Sequence, residues 1–145
     1  MTAITIRDAT LDDAEALAPL LAALGYPADP LTVMERLSSL LATDPSARIL
    51  VAVHATRIVG FATLHATPVL HRPTAVARVT ALVVASDHQR SGAGRALMQA
   101  AESHFAAEGW ARVEVTSGPK HEPAHGFYRR LGYEDQGIRF AKVLP

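Results

Sequence analysis

The chain has 145 residues, of which 49% are hydrophobic and 19% charged, which is typical of one globular domain and excludes a disordered chain. Fourteen basic side chains balance fourteen acidic ones, so no overall field would recruit nucleic acid or an anionic membrane. There is no cysteine, which excludes disulfides and thiolate chemistry. Without a signal-peptide pattern or an apolar run of about 18 residues, we expect a cytoplasmic protein that does not enter a membrane.

The N-terminal segment predicts a strand followed by a helix. Apolar and polar residues alternate over positions 4–6, as in a short strand. Thr10 followed by Asp13 resembles a capping box, and the apolar pattern after it predicts a helix that ends at Gly25. Because Pro19 lies inside this pattern, we expect a kink or a late start.

A second helix and a hairpin are predicted next. Asp29 is the expected N-cap of a helix from Pro30 to about residue 41. Its expected apolar stripe consists of Leu31, Met34, Leu37, Leu40 and Leu41. Residues 48–54 and 57–65 predict a β-hairpin, with Gly60 as the site of a bulge, and residues 67–73 predict a loop.

The second half of the chain continues with alternating strands and helices, but irregularly. Residues 74–85 predict a fourth strand, whose apolar end indicates a central position in the sheet. Helices over residues 92–108 and 122–131 flank a fifth strand at 112–116, and residues 133–144 predict a final hairpin. Because strands and helices do not alternate regularly, the expected fold is a mixed α+β sheet.

The most informative segment is the loop that ends in Gly92 and Gly94. It follows the apolar run 79–85 and opens a helix. Two glycines allow the backbone to approach a ligand, and the amides of a helix N-terminus attract anions. The loop therefore predicts a site for a phosphate-bearing cofactor, although a plain tight turn would use the same glycines.

Two other phosphate-binding motifs are excluded by the residues present. A nucleotide triphosphatase loop requires a lysine after its second glycine, and this chain has none there. A dinucleotide-binding fold requires a third glycine, which Leu97 replaces, although Glu114 lies at the distance expected for its acidic residue.

Two motifs in order resemble the GNAT superfamily of N-acetyltransferases. The first is Leu82-x-Val84-x-Ser86-x-x-Gln89-x-x-Gly92-x-Gly94-x-x-Leu97, and the second is Ala124-x-x-Phe127-Tyr128-x-x-Leu131-Gly132-Tyr133. The resemblance implies one N-acetyltransferase domain over residues 1–145. It also implies a central, mostly antiparallel, twisted sheet of about six to seven strands flanked by about four helices.

The resemblance also implies a reaction and its co-substrate. An amine would attack the thioester of acetyl-CoA directly, so neither a metal nor a covalent enzyme intermediate is expected. Val84 N–H would stabilise the oxyanion, and Tyr128 would protonate the departing thiolate. Phe127 and Tyr133 are also expected to pack in the core. The implied cofactor contacts are Leu82, Val83, Val84, Gln89, Arg90, Ser91, Gly92, Ala93, Gly94, Arg95, His121, Phe127 and Tyr128.

A general base is needed because free alkylamines are protonated at neutral pH. Glu114 is the first candidate, followed by His121 and His125. His121 stands where the family often has an asparagine that contacts the cofactor. His65 and His71 are candidates for lining the acceptor side.

The acceptor amine stays open at this stage. We expect a small molecule, while a protein N-terminus or lysine is an alternative, as is a CoA-binding sensor without turnover. Residues 24–41 and 67–74 are expected to determine the acceptor. No nucleic-acid or membrane partner is expected, and a homodimer through the final strands is an expectation by analogy.

Overall fold

The computed structural model describes residues 3–116, 122–137 and 139–145. Its strands are β1 (Ile4–Asp8), β2 (Arg48–His54), β3 (Arg57–Thr67), β4 (Val76–Val84) and β5 (Val113–Val115). Its helices are α1 (Ala14–Leu24), α2 (Pro30–Thr43), α3 (Ala93–Ala107) and α4 (Glu122–Arg130), with 3-10 turns at Leu11–Asp13 and Ser86–His88. None of the described helices has the length and apolar composition of a membrane span.

The five strands form one sheet in the order β1-β2-β3-β4-β5. The first four are antiparallel neighbours, and β5 runs parallel to β4. The mixed α+β class and the internal position of β4 are therefore confirmed. The strand count in the described chain is lower than the six to seven that we expected.

The predicted final hairpin is wrong for the described part of the C-terminal segment. Residues 133–137 and 139–145 form no strand there. Phe140 and Val143 are 90% and 94% exposed, so this segment gains no burial that would offset the entropy of ordering it. The strands through which we expected a homodimer to form are thus missing from this part of the chain.

Helices cover both faces of the sheet, and each face has its own core. On one face, α3 buries Leu97, Met98 and Phe105 against residues of β2, β3 and β4. On the other face, α1 and α2 cover Phe61, Val83 and other apolar residues of the same strands. The side chains of β4 are therefore divided between the α3 face and the α1 face of the sheet.

The capping box at the start of α1 is confirmed. The Thr10 amide donates to Asp13 Oδ2 at 2.7 Å, and Arg7 binds both carboxylate oxygens of Asp13 at 2.8 and 2.9 Å. The α-helix proper begins at Ala14, after a 3-10 turn, and continues through Pro19. The late start expected from Pro19 is therefore wrong, and the alternative of a kink at this residue stays a prediction.

The predicted apolar stripe of α2 is partly wrong. Only Val33 and Leu37 of this helix are buried, whereas Leu31, Met34 and Leu41 are 60%, 37% and 43% exposed. The reason is that α2 packs mainly on α1, so only the narrow face that carries Val33 and Leu37 reaches the core over the sheet. The Asp29 cap is confirmed, because its Oδ1 accepts from the Thr32 amide at 2.7 Å.

Two bulges shape the central strands. Val59 is an extra residue of β3 in its pairing with β2, next to Gly60, where we expected a bulge. Thr80 is the corresponding extra residue of β4 in its pairing with β3. A Cβ atom on Gly60 would lie 2.7 Å from the carbonyl oxygen of Val83, so glycine permits the close approach of β3 and β4 here.

Candidate active site

The glycine loop reaches α3 through two residues with positive φ. Arg90 has φ +66° and Gly92, the N-cap of α3, has φ +91°. A non-glycine residue in this region costs about 1 kcal/mol or more, and such residues cluster at functional sites. Backbone of this kind turns successive amides toward one concave, anion-attracting side.

The amides of this loop divide into used and available donors. The Ser91 amide donates to the His88 carbonyl, and the Ala93 amide donates to Ser91 Oγ. The other five amides of the loop meet no acceptor among the described residues; they are those of Gln89, Arg90, Gly92, Gly94 and Arg95. The N–H cradle over positions 89 to 95 therefore stays a prediction, with two of its seven amides used within the loop.

The two glycines do different work. A Cβ atom on Gly92 would point into open space, as a ligand site requires. A Cβ atom on Gly94 would lie 3.2 Å from Phe127 Cζ and 3.6 Å from Val84 Cγ2. Gly94 thus makes room for the packing of α4 and β4 against α3, and its missing side chain does not open the ligand side.

Three other predicted contacts of the loop, Gln89, Arg90 and Arg95, are exposed to solvent. Neither arginine has an ion-pair partner among the described residues. Their guanidinium groups could therefore bind an anion at this corner without breaking an internal contact.

The end of β4 has an unpaired edge. The Ala85 amide donates to the Val59 carbonyl at 2.7 Å, so residues of odd number here face β3. The backbone groups of Leu82 and Val84 consequently point away from β3, whereas those of Val83 are used within the sheet. Because β5 pairs only with residues 77–79 of β4, no described strand takes up the edge at Leu82 and Val84.

Tyr128 lies on α4 and packs into the same apolar cluster as Leu82 and Val84. Its ring meets that of Phe127 edge-on, with centroids 5.3 Å apart. Burial raises the pKa of the Tyr128 phenol, which therefore keeps its proton at neutral pH. Its hydroxyl has no hydrogen-bond partner among the described residues, so it is available to a ligand.

Tyr133 packs as the sequence predicted. Its hydroxyl donates to Glu102 Oε2 of α3 at 2.7 Å. Burial and this carboxylate raise the pKa of Tyr133. This hydrogen bond connects the segment after α4 to α3. Tyr133 therefore has a structural role, whereas the hydroxyl of Tyr128 is unused within the described part of the chain.

Glu114 lies among three arginines. Arg72 donates to its Oε2 at 2.7 Å, and Arg78 and Arg112 approach its carboxylate at 3.8 and 3.7 Å. The hydrogen bond from Arg72 and the three positive charges lower the pKa of Glu114. A carboxylate held ionised in this way accepts protons poorly, so the geometry argues against the predicted role as a general base.

The position of Glu114 along the strand also argues against a role as the general base. Glu114 is the register partner of Arg78, six residues before Val84, which corresponds to about 20 Å along an extended strand. The sequence predicted the strand that carries Glu114. It did not predict the register in which β5 pairs with β4.

The histidine candidates are spread over several elements. His121 lies outside the described residues, and His125 lies on α4. His65 contacts Asp44 Oδ2 through its Nδ1 at 3.1 Å and is the register partner of Arg78. His71 belongs to the segment between β3 and β4. The structure thus places His65 across from Arg78, one of the three arginines around Glu114.

The comparisons with known proteins agree with this geometry. The model of the acetyltransferase (GNAT) family matches residues 14–133. The chain belongs to this family. GNAT enzymes use acetyl-CoA as the acetyl donor.

One relative is the aminoalkylphosphonate N-acetyltransferase of Salmonella typhimurium, which is 30% identical over 101 residues. The match covers 70% of this chain and 66% of the relative, so it spans slightly less than two thirds of that protein.

Solved GNAT structures share the fold at lower identity. An aminoglycoside acetyltransferase from an uncultured soil metagenomic sample has a TM-score of 0.81 and 24% identity, over 98% of this chain and 97% of that one. The ribosomal-protein-alanine N-acetyltransferase of Brucella melitensis has a TM-score of 0.81 and 21% identity, over 98% and 99% of the chains. Proteins named for such different acceptors share this backbone, so the fold does not determine the acceptor.

Sequence reasoning missed the arginines that surround Glu114. Arg78 is a charged residue inside an otherwise apolar strand, which was a usable signal. Arg72 and Arg112 carried no such signal, because they join Arg78 only through the folding of the loop after β3 and the pairing of β5.

Proposed function

We propose that this GNAT protein transfers the acetyl group of acetyl-CoA to the amine of a small molecule. The observation that carries the proposal is the continuity of two sets of unused backbone donors. The first turn of α3 offers the amides of Gly94 and Arg95, and the adjoining end of β4 offers the edge at Leu82 and Val84.

Acetyl-CoA suits this arrangement in both of its parts. Its diphosphate would bind at the N-terminus of α3, where the helix dipole and the available amides favour an anion. Arg90 and Arg95 would add charge from the solvent side. Its pantetheine amides would pair with the free edge of β4, much as an additional strand pairs with a sheet edge.

The chain's own groups then assist the transfer. The amine attacks the thioester carbonyl, and the Val84 amide donates a hydrogen bond to the developing oxyanion. The carbon–sulfur bond breaks, and Tyr128 donates its phenolic proton to the departing thiolate. The proton that the nitrogen loses on forming the amide passes to a base and restores the phenol for the next turnover. Burial raises the pKa of Tyr128, so the phenol carries its proton at neutral pH but is a weaker acid than a free phenol. The general-acid role is supported by the position of Tyr128 in the same apolar cluster as Leu82 and Val84, and not by this shift.

We propose a small-molecule acceptor because the Salmonella relative is named for one. We do not retain Glu114 as the base, since its three arginines stabilise its charged form. A base from the region of α4 stays a prediction, with His121 and His125 as the candidates.

The experiment compares Tyr128→Phe with the control Tyr133→Phe. Loss of a general acid lowers kcat by about 100-fold or more, so Tyr128→Phe should do so with little change in acetyl-CoA affinity. Tyr133→Phe removes a hydroxyl that donates to Glu102, so it should lower the unfolding midpoint and leave kcat close to that of the wild type.

Steady-state rates with a panel of small amines, together with calorimetry of acetyl-CoA binding, measure these effects. Equal kcat values for wild type and Tyr128→Phe would exclude the general-acid role. Tight binding of acetyl-CoA with no turnover of any amine would support a CoA-binding sensor.

A further inference from the structure

We propose that Arg72, Arg78 and Arg112 bind an anionic group of the acceptor, and that the acceptor is a compact amine carrying a phosphonate or phosphate group. This inference rests on the proposed acetyltransferase function and identifies the substrate class of the same site. We call the three arginines and Glu114 the arginine cluster.

The arginine cluster has more positive charge than its own contacts need. Three guanidinium groups lie within 4.0 Å of one carboxylate, which leaves two positive charges uncompensated among the described residues. Like charges held close together repel, so a bound anion would relieve the repulsion among the three guanidinium groups. Two unpaired positive charges match the charge of a phosphate-type dianion, which is close to −2 at neutral pH.

The arginine cluster also has unused hydrogen-bond donors. Each guanidinium carries five N–H groups in a planar fork that suits phosphate-type oxygens. Arg72 donates one hydrogen bond to Glu114, and Arg112 donates one to Gln136 at 2.7 Å. Arg78 makes no hydrogen bond within the described chain, and its side chain is 47% exposed. Most of the donors are therefore open to a ligand.

The cluster lies on the face of the sheet opposite α3. Ala77 and Val79 belong to the core on the α3 side, so Arg78 between them points to the other face. The same alternation places Glu114, between Val113 and Val115, beside Arg78. The helices α1 and α2 cover this face around Ile49, Val51, Phe61 and Val83, whereas Arg78 and Thr80 are exposed.

The neighbouring residues on this exposed part are polar. Thr63 and Thr80 share a hydrogen bond between their hydroxyl groups at 2.7 Å, and His65 lies across from Arg78. This polar surface extends toward the free edge of β4.

Arg78 precedes Val84, whose amide is the proposed oxyanion donor, by six residues, which is about 20 Å along the strand. The extended arginine side chain, the length of a small acceptor and the hydrogen bonds at its two ends together span this distance, whereas the shorter Glu114 side chain does not. A small acceptor could therefore place its anionic group on the cluster and its amine at the thioester.

The experiment compares three small amines of similar length: 2-aminoethylphosphonate, β-alanine and ethanolamine. They carry a phosphonate, a carboxylate and a neutral hydroxyl group. For the wild type, kcat/KM should be at least about tenfold higher with the phosphonate than with ethanolamine, the effect of one charge-assisted hydrogen bond. A preference for the phosphonate over β-alanine identifies a dianion site, whereas equal values identify a site for anions of either type.

Variants Arg72→Gln and Arg78→Gln should each reduce the ratio of phosphonate to ethanolamine by about tenfold, mainly through KM for the phosphonate. Arg48→Gln is the matched control. Like Arg72, Arg48 is 35% exposed and forms an ion pair at 2.7 Å, in its case with Asp8. Its ratio should equal that of the wild type, and thermal unfolding shows that each variant is folded.

A wild-type ratio near one, or variants that keep the wild-type ratio, would overturn the anion site and leave the acetyltransferase proposal intact. If no amine is turned over, calorimetric titration of 2-aminoethylphosphonate into the protein, with and without CoA, decides the question. Binding that disappears in both arginine variants supports the site, and the absence of binding to the wild type overturns it. Failure to bind acetyl-CoA counts against the proposed function alone.

Discussion

Replacement of Gly92 by alanine tests whether the N-terminus of α3 binds the diphosphate. Gly92 has φ +91°, and a Cβ atom there would meet nothing within 4 Å. Alanine therefore causes strain in the left-handed region without a clash inside the protein. Gly109, just beyond the other end of α3, has φ +85° and equally open surroundings. Gly109→Ala is thus a control that carries the same strain away from the proposed site.

The magnitudes separate stability from binding. The left-handed conformation costs a residue with a Cβ atom about 1–2 kcal/mol, so both variants should lose about this much free energy of unfolding. In Gly92→Ala the added methyl group also occupies the side that the diphosphate approaches. Loss of one charge-assisted hydrogen bond costs about 1.5–3 kcal/mol, so acetyl-CoA should bind about 10- to 100-fold more weakly. Gly109→Ala should bind it like the wild type.

The assay combines urea unfolding of both variants with calorimetric titration of CoA and acetyl-CoA. Equal destabilisation with an affinity loss confined to Gly92→Ala is the expected result. If both variants bind CoA with wild-type affinity, the diphosphate does not lie against this turn, and the placement of the cofactor has to be abandoned. If both lose affinity equally, the loss reflects strain in α3 and says nothing specific about the N-terminus.

Three further predictions concern packing and charge. Gly60→Ala places a Cβ atom 2.7 Å from a backbone carbonyl oxygen of β4, so urea unfolding should show a loss of about 1–3 kcal/mol. Gly94→Ala gains about 1 kcal/mol of helix propensity but pushes on the ring of Phe127 from 3.2 Å. Its stability should stay near that of the wild type, while kcat falls because α4 carries the neighbouring Tyr128, the proposed general acid; an unchanged kcat would contradict this. Asp13→Asn should cost about 1–2 kcal/mol at pH 7, because the hydrogen bonds and charge of Arg7 lower the pKa of this buried carboxylate. A group with a lowered folded pKa stabilises above its ordinary value of 3.8 and loses this effect as the pH falls through its folded pKa. The difference between wild type and variant should therefore shrink below about pH 3.8, and a constant difference down to pH 2 would count against this coupling.

The glycine loop shows why some parts of the site could be predicted from the sequence. Its elements are continuous in the chain: an apolar strand end, a loop with Gly92, and an amphipathic helix. Local residue order is enough to specify a helix N-terminus, and the amides and dipole of such a terminus favour an anion. The different roles of Gly92 and Gly94 could not be predicted, because Gly94 packs against Phe127, which comes 33 positions later in the chain.

Glu114 shows the opposite case. Its sequence neighbours indicate only a strand residue of unspecified surroundings. From the sequence we interpreted Glu114 as a general base, because it is a carboxylate near a predicted site. In the structure three arginines surround this carboxylate. The pKa of a side chain depends on the charges within a few ångströms, and those come from a loop, from β4 and from β5.

The sequence alone determined the α+β class, most helix and strand positions, the capping residues and the identity of the two GNAT motifs. These properties depend on periodicity, turn residues and short-range order, which a linear chain carries explicitly. Only the tertiary structure decided which edge of β4 stays unpaired, which face of α2 is buried and that three arginines meet at Glu114. Strand register and helix docking bring together residues that are distant in the chain, and such contacts leave no local pattern.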